Sequence, residues 1–136
     1  MLGTWVRVRI EVPRGGHVKR RPTGKIELVS PIGCPFAYGS IHGVQGADCD
    51  LADAIVLGPR RRAGEDVVVK VHGVIHFVDR GRPDDKWVCG EVPTSRERQW
   101  LATFFRIYAL AKRARSPWAR SGVSGTEWLE VGVPPG

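Results

Sequence analysis

The chain places many short apolar runs, most of them ended by glycine or proline, before a single long stretch with helical periodicity. From Val6 to Val12, apolar and polar residues alternate strictly, as they do in a half-buried strand. Further strand-like runs are Gly24 to Val29, Ala54 to Leu57, Asp66 to Val78 (with Gly73 between or within two runs) and Lys86 to Cys89. Strands followed by one helix predict an α+β, mainly β protein, a small barrel with a packed helix, and disfavour a doubly wound fold.

The last third of the chain contains the helical signal. Thr94 and Glu97 have the spacing of a capping box, in which a hydroxyl caps the helix and an acid follows three residues later. The apolar stripe that follows is Trp100, Leu101, Phe104, Phe105, Tyr108 and Ala111. This pattern predicts one amphipathic helix of roughly four to five turns. We expect residues 116–136 to form an irregular tail, and residues 1–136 to form a single domain.

Composition excludes several classes of protein. With 42% hydrophobic residues in 136, the chain has enough apolar material for one modest core, which argues against disorder. No apolar run reaches membrane-spanning length, and Met1 to Val12 lacks the apolar block of a signal peptide. We therefore expect a cytoplasmic protein without a membrane partner. The three cysteines form no C-x-x-C pair, which favours reduced, partly buried thiols over disulfides or structural zinc.

The formal charge of +7 predicts an affinity for anions, yet the chain also contains clusters of acidic residues. Asp48, Asp50 and Asp53 lie within six residues; in an extended segment Asp48 and Asp50 share a face, and Asp53 needs a turn to join them. Such a cluster suits a hard divalent ion, and a solvated acidic turn is the alternative. The second cluster, between Asp79 and Asp85, is interpreted on its own as a hairpin turn.

The remaining polar residues give weaker signals. Lys19 belongs to a basic run after the first strand, which is either a solvated edge or a phosphate contact. Tyr108 lies on the inner stripe of the helix, where core packing is the default. The four histidines show no metal-binding spacing, and we expect none of them to be catalytic.

Several motifs, in the right order along the chain, resemble those of the family I inorganic pyrophosphatases. In sequence they are Ile10-Glu11-Val12-Pro13, Val18-Lys19, Tyr38-Gly39, the D-x-D-x-x-D of Asp48, Asp50 and Asp53, the D-x-x-x-x-D-x-K of Asp79, Asp84 and Lys86, and the F-F-x-x-Y from Phe104 to Tyr108. The resemblance covers about Ile10 to Tyr108, and the shared order is more specific than any single motif.

The resemblance implies an OB-like five-stranded barrel, hydrolysis of pyrophosphate to two phosphates, and a homo-oligomer. It implies magnesium as the cofactor, with manganese or another divalent ion as an alternative. The implied metal ligands are Glu11, Asp48, Asp53, Asp79 and Asp84. The implied catalytic residues are Asp50, which accepts a proton from the attacking water, and the phosphate contacts Lys19, Tyr38, Lys86 and Tyr108.

The chain departs from the family pattern at positions that normally contact phosphate. An arginine is missing from the segment Leu28 to Pro31, and Ala109 stands where a lysine usually follows the helix tyrosine. Arg21 replaces an acidic residue two positions after Lys19. The candidate replacements for the missing cations are Arg14, Arg20, Arg80 and Arg82.

Four functional hypotheses are compatible with these patterns. The first is a divergent pyrophosphatase, and the second is a hydrolase of a larger phosphate compound. The third is a metal-retaining relative that binds or assembles without turnover. A nucleic-acid-binding barrel is the fourth, but the few aromatic residues lie mostly on the helix stripe, so we do not expect nucleic acid as the partner.

Overall fold

The computed structural model describes residues 1–15, 18–20, 26–29, 36–46, 51–115, 118 and 120–129, with backbone only for 18–20 and 26–29. Its elements are β1 (Trp5–Val12), β2 (Val18–Arg20), β3 (Ile26–Val29), β4 (Ala37–Gln45), β5 (Leu51–Leu57), β6 (Asp66–Asp79), β7 (Arg82–Pro83), β8 (Lys86–Gly90), α1 (Ser95–Arg115) and β9 (Gly122–Trp128).

Five strands close into a barrel. They are hydrogen-bonded in the order β1-β4-β5-β8-β6, and β6 pairs back onto β1. Every neighbouring pair is antiparallel except β5 and β8, which run parallel. The additional strands β7 and β9 both pair with β6. This architecture confirms the predicted five-stranded barrel, and closure leaves few unpaired strand edges.

The β6 strand is one continuous element of 14 residues, although its sequence contains two apolar runs. The register with β8 shifts between Val71 and Gly73, so the strand bends there without breaking. Its first part pairs with β1, and its second part pairs with β8 and β9. A single bent strand therefore joins three of its neighbours and sets the shape of the barrel.

The predicted amphipathic helix is confirmed as α1. Thr94 Oγ1 accepts the Glu97 N–H at 3.1 Å, and Glu97 Oε1 accepts the Thr94 N–H at 3.0 Å, which completes the capping box. Leu101, Phe105 and Ala109 are buried against the barrel. Within the described ranges, no helix combines the length and the apolar character that a membrane span needs.

The prediction of an irregular tail is wrong for Gly122–Trp128, which form β9. This strand pairs antiparallel with β6 through contacts such as His76 opposite Gly125. The glycines and hydroxyl residues of β9 interrupt the apolar alternation that marks a strand in the sequence. The pairing with β6 also depends on space that a residue of β6 provides. A Cβ at Gly73 would lie 2.2 Å from Trp128 Cε3, so only glycine leaves room for that ring. Residues 130–136 lie outside the described part of the chain.

Both faces of β5 are buried, which explains its apolar sequence. Ala54 and Val56 point into one apolar cluster, and Ile55 and Leu57 point into a second cluster that contains the helix. Cys89, a free thiol buried in the first cluster, agrees with the prediction for the cysteines; burial raises its pKa to about 12. Cys34 and Cys49 lie outside the described residues.

Candidate functional site

Several polar side chains meet at the edge of the apolar cluster that contains the helix residues. On β5, Asp53 shares the parity of the buried Ile55, and on β8, Lys86 shares the parity of the buried Val88. Tyr38 on β4 belongs to the same cluster. Strand β5 begins at Leu51, three residues before the predicted strand, so Asp53 lies in a strand and not in a turn. The alternation of the strands therefore directs these polar groups to one place.

Lys86 is the centre of this group. Its Nζ donates to Asp53 Oδ2 at 2.7 Å, to Asp84 Oδ2 at 2.8 Å and to the Tyr38 hydroxyl at 2.8 Å. The residue is only 4% exposed. A buried ammonium is tolerated because its three donors are satisfied and two of the acceptors are carboxylates. The arrangement fixes one positive charge between two acidic residues.

The pKa values follow from burial and from the unequal number of charges. Burial alone lowers the pKa of Lys86, but Asp53 and Asp84 outweigh it and leave that pKa raised. Burial raises the pKa of Asp84 to about 6. The Lys86 ammonium opposes this shift, and the neighbouring Asp53 carboxylate adds to it, since one ammonium is shared by two carboxylates. Burial and the nearby Asp53 raise the pKa of Tyr38 well above its ordinary value, so this phenol remains a hydrogen-bond donor.

A second cation lies beside the helix tyrosine. Lys112 Nζ donates to Asp79 Oδ2 at 2.7 Å and lies 5.1 Å from the centre of the Tyr108 ring. Burial raises the pKa of Tyr108, an effect that Lys112 partly opposes. Within the described part of the chain, Asp79 Oδ1 is buried and has no hydrogen-bond partner. One oxygen of this carboxylate therefore remains open to a further cationic or donor group.

Glu11 is connected to the site through Ser40. The buried Ser40 hydroxyl donates to Glu11 Oε1 and thereby joins β1 to β4. Ser40 is also the register partner of Asp53 across β4 and β5. Ser40 carries no signal in the sequence, because its significance depends on this strand register.

The acidic loop behaves as the hairpin that its sequence predicts. Asp79 ends β6 and pairs with Arg82, and the two residues between them have positive φ angles, 52° for Arg80 and 79° for Gly81. This is the geometry of a two-residue hairpin turn. The Asp84 N–H then donates to the Phe77 carbonyl at 2.8 Å, which holds Asp84 beside Lys86.

Several predicted site residues cannot be placed. Asp48 and Asp50 lie outside the described residues, and Lys19 is described only as backbone in β2. Their predicted roles stay predictions. Among the side chains that are described, no three of the types His, Cys, Asp and Glu form a group that could hold a metal ion. The described candidates Glu11, Asp53, Asp79 and Asp84 therefore do not form a complete metal site on their own.

The missed functional candidate is Lys112. It follows Tyr108 by four residues, one turn of helix, and this spacing is the signal that could have identified it. Of the suggested replacements for the missing cations, Arg80 and Arg82 are exposed at the hairpin turn, and Arg14 lines a separate cavity. Ala109, where the pattern has lysine, is instead buried against the barrel.

Comparisons with known proteins identify the family of this chain. The profile of the inorganic pyrophosphatase family matches residues 8–122. The inorganic pyrophosphatase of Gluconobacter oxydans is 34% identical over 92 residues, which cover 62% of this chain and 53% of that protein. The chain spans about half the length of the curated relatives it matches.

Solved structures give the same result for the fold. The inorganic pyrophosphatase of Thermus thermophilus superimposes with a TM-score of 0.73 at 27% identity, covering 91% of this chain and 82% of that one. An inorganic pyrophosphatase from Coxiella burnetii gives 0.74 at 21% identity, covering 94% and 88%. The second likeness shows the fold alone.

Proposed function

The chain belongs to the inorganic pyrophosphatase family, and from this premise we propose that it hydrolyses pyrophosphate to two phosphate ions with magnesium as the cofactor. The observation that carries the proposal is the buried Lys86, held by Asp53, Asp84 and Tyr38. A site for a metal–phosphate complex needs groups of both charges: carboxylates that bind the metal ions and a cation that binds the phosphate. The ammonium of Lys86 beside the carboxylates provides both.

The family uses divalent metal ions, and the donor set of this chain suits them. Carboxylate oxygens are the ligands that magnesium prefers, and Asp79 Oδ1 is buried without a hydrogen-bond partner among the described residues. In the proposed site Asp48, Asp53 and Asp84 would hold a first ion, Asp79 together with Asp84 would hold another, and Glu11 would contribute to an additional ion. Bound metal lowers the pKa of a coordinated water and neutralises charge on the phosphoryl group.

The protein's own groups position the substrate and move the proton. Asp50 accepts the proton of the attacking water as the new phosphorus–oxygen bond forms and the bridging bond breaks. Lys86 stays charged because its pKa is raised, and Tyr38 stays protonated for the same reason. Tyr38 can therefore donate to a phosphate oxygen through its hydroxyl, and Lys86 can donate to one when the phosphate replaces one of its three present acceptors.

The remaining phosphate contacts come from outside the central group. We assign Lys19 and Tyr108 to phosphate oxygens, and we add Lys112, whose ammonium lies beside the Tyr108 ring. Lys112 supplies the positive charge that Ala109 cannot, because it reaches Asp79 from one turn further along α1. A single charge-assisted contact of this kind contributes about 1.5–3 kcal/mol.

The same proposal includes the state of the protein in the cell. We propose a cytoplasmic homo-oligomer in which residues 1–136 act as one domain. The exposed apolar residues Ile107 and Leu110 on α1 support self-association, since both are more than half exposed.

Phosphate release tests the proposed reaction. The assay compares pyrophosphate with inorganic triphosphate, a larger phosphoanhydride, in magnesium and after chelation with EDTA, and includes an Asp50→Asn variant. We expect two phosphates for each pyrophosphate, none after chelation, and a large loss in the variant. Absence of release from a folded protein, or faster hydrolysis of triphosphate, would reject pyrophosphate as the substrate.

A further inference from the structure

A cavity of about 310 Å³ lies beside the start of α1 and plays no part in the proposed reaction. Its apolar wall includes Phe36, Val56 and Leu57, and Trp100 lines it from the helix. This volume is at the lower end of the range for small-molecule sites, roughly 300–1,000 Å³. The cavity is thus large enough for a small organic ligand.

Arginines surround this cavity. Arg14, Arg60, Arg61 and Arg96 all line it, and Glu97 is the one acidic residue among the described lining residues. The carboxylate of Glu97 is engaged in the capping box, where it accepts the Thr94 N–H. The first residues of a helix also carry partial positive charge. The lining therefore has a strong excess of positive charge.

The guanidinium groups of these arginines are available to a ligand. For the part of the chain that the structure describes, no salt bridge or side-chain hydrogen bond involves any of the arginines that line the cavity. Arg61 Nε is in addition buried and has no hydrogen-bond partner there. A buried guanidinium N–H without an acceptor is unfavourable, so an anion in the cavity would satisfy a group that the protein leaves open.

The aromatic residues add a second kind of recognition. Trp100 lines the cavity and keeps 42% of its surface exposed, while its ring meets the edge of Phe36 at 6.0 Å and 90°. Exposed indole surface next to arginines suits a flat ring attached to an anionic group, because the ring can stack while the arginines bind the anion.

The cavity is separate from the proposed active site. On β5, Asp53 belongs to the site and Leu57 to the cavity, four residues further along an extended strand. This spacing corresponds to about 13 Å. A ligand in the cavity would therefore leave the carboxylates and Lys86 uncovered.

We propose that this cavity binds a small organic phosphate with a planar ring, of the nucleoside monophosphate type. The phosphate group accepts hydrogen bonds from Arg61 and Arg96, and the ring packs against Trp100. The inference stands independently of the proposed reaction, because it uses none of the active-site residues.

Calorimetric titration with adenosine 5′-monophosphate tests the proposal, with adenosine and inorganic phosphate as the two halves of the probe. We expect saturable binding of the nucleotide at or below roughly 1 mM, and at least tenfold weaker binding of each half. Arg61→Gln and Trp100→Leu should each weaken nucleotide binding about tenfold or more. The matched control is Arg62→Gln, which removes the same charge from the neighbouring residue outside the cavity lining.

A competition experiment separates the cavity from the active site. Methylenediphosphonate, an analogue of pyrophosphate that cannot be hydrolysed at the bridge, should leave nucleotide affinity unchanged. The proposal is overturned if the folded protein does not bind the nucleotide, if inorganic phosphate binds as tightly, if Arg62→Gln weakens binding as much as Arg61→Gln, or if the analogue displaces the nucleotide.

Discussion

Asp53 and Lys86 are register partners across the parallel pair of β5 and β8, and their side chains meet with Lys86 Nζ 2.7 Å from Asp53 Oδ2. They are 33 residues apart in sequence, so strand pairing alone brings them together. The Lys86 side chain is 5% exposed and the Asp53 side chain is 12% exposed. The barrel thus fixes a charge pair at the place where the proposed substrate and metal ions would meet.

Replacing Lys86 by methionine should impair both stability and turnover. The change leaves the carboxylates of Asp53 and Asp84 without their shared ammonium, and breaking a buried pair in this way costs about 3–5 kcal/mol. Urea unfolding measures the stability, and phosphate release measures the turnover. Lys70→Met on β6 is the control, because it removes the same charge outside the site. Equal stability of the two variants would contradict the central role of Lys86.

Lys112→Met tests the cation that lies beside the helix tyrosine. Loss of its ammonium beside Asp79 and Tyr108 should lower kcat/KM for pyrophosphate by about one to two powers of ten. The helix should remain folded, since Lys112 lies on its partly exposed side. Arg106→Met, an exposed change on the same helix, should retain activity. If the Lys112 variant keeps the wild-type kcat/KM, the assignment of Lys112 to the phosphate site is wrong.

The sequence predicted those parts of the site that have local signals. The turn residues between Asp79 and Asp85 predicted the hairpin loop, and the capping box located the start of the helix correctly. Lys112 was missed because its four-residue spacing from Tyr108 gains its meaning only from the tertiary contact of Lys112 with Asp79 on β6. The strand at the C-terminal side was missed for a similar reason, since its pairing requires the space that Gly73 leaves.

The contact between Gly73 and Trp128 provides a test of this added strand. Gly73→Ala should destabilise the protein by about 1–3 kcal/mol, because the new methyl group would collide with the indole ring. Gly125→Ala on the partner strand meets no atom within 4 Å and should change stability by less than about 0.5 kcal/mol. Thermal unfolding measures both variants.

A double-mutant cycle excludes a purely local effect on the backbone. Removing the ring with Trp128→Ala should make Gly73→Ala less costly than it is in the wild-type protein. Additive effects of the two substitutions would show that the ring and the glycine do not meet.

His76 should make stability depend on pH. A hydrogen bond with Glu127 raises the pKa of His76 above 6.5, burial opposes this shift, and Asp85 adds to it. A raised folded-state pKa means that the protonated form is stabilised. The contribution is therefore fully present below pH 6.5 and is lost as the pH rises through the folded-state pKa.

The measurement is the stability difference between wild type and His76→Gln at pH 5.5 and at pH 8.5. We expect a larger difference at pH 5.5, though below about 1 kcal/mol because the pair is partly exposed. Glu127→Gln should show the same trend, since it removes the main partner. A difference that does not change with pH would contradict this account of His76.

The most direct test of the proposed function is magnesium-dependent phosphate release by Asp53→Asn. This substitution removes the charge of a proposed metal ligand and keeps the shape of the side chain. Asp66→Asn is the matched control, because Asp66 pairs with Arg9 and His42 away from the site. We predict at least about a 100-fold loss of turnover for Asp53→Asn and less than about a twofold change for the control. Wild-type turnover by a folded Asp53→Asn protein would contradict the proposed active site.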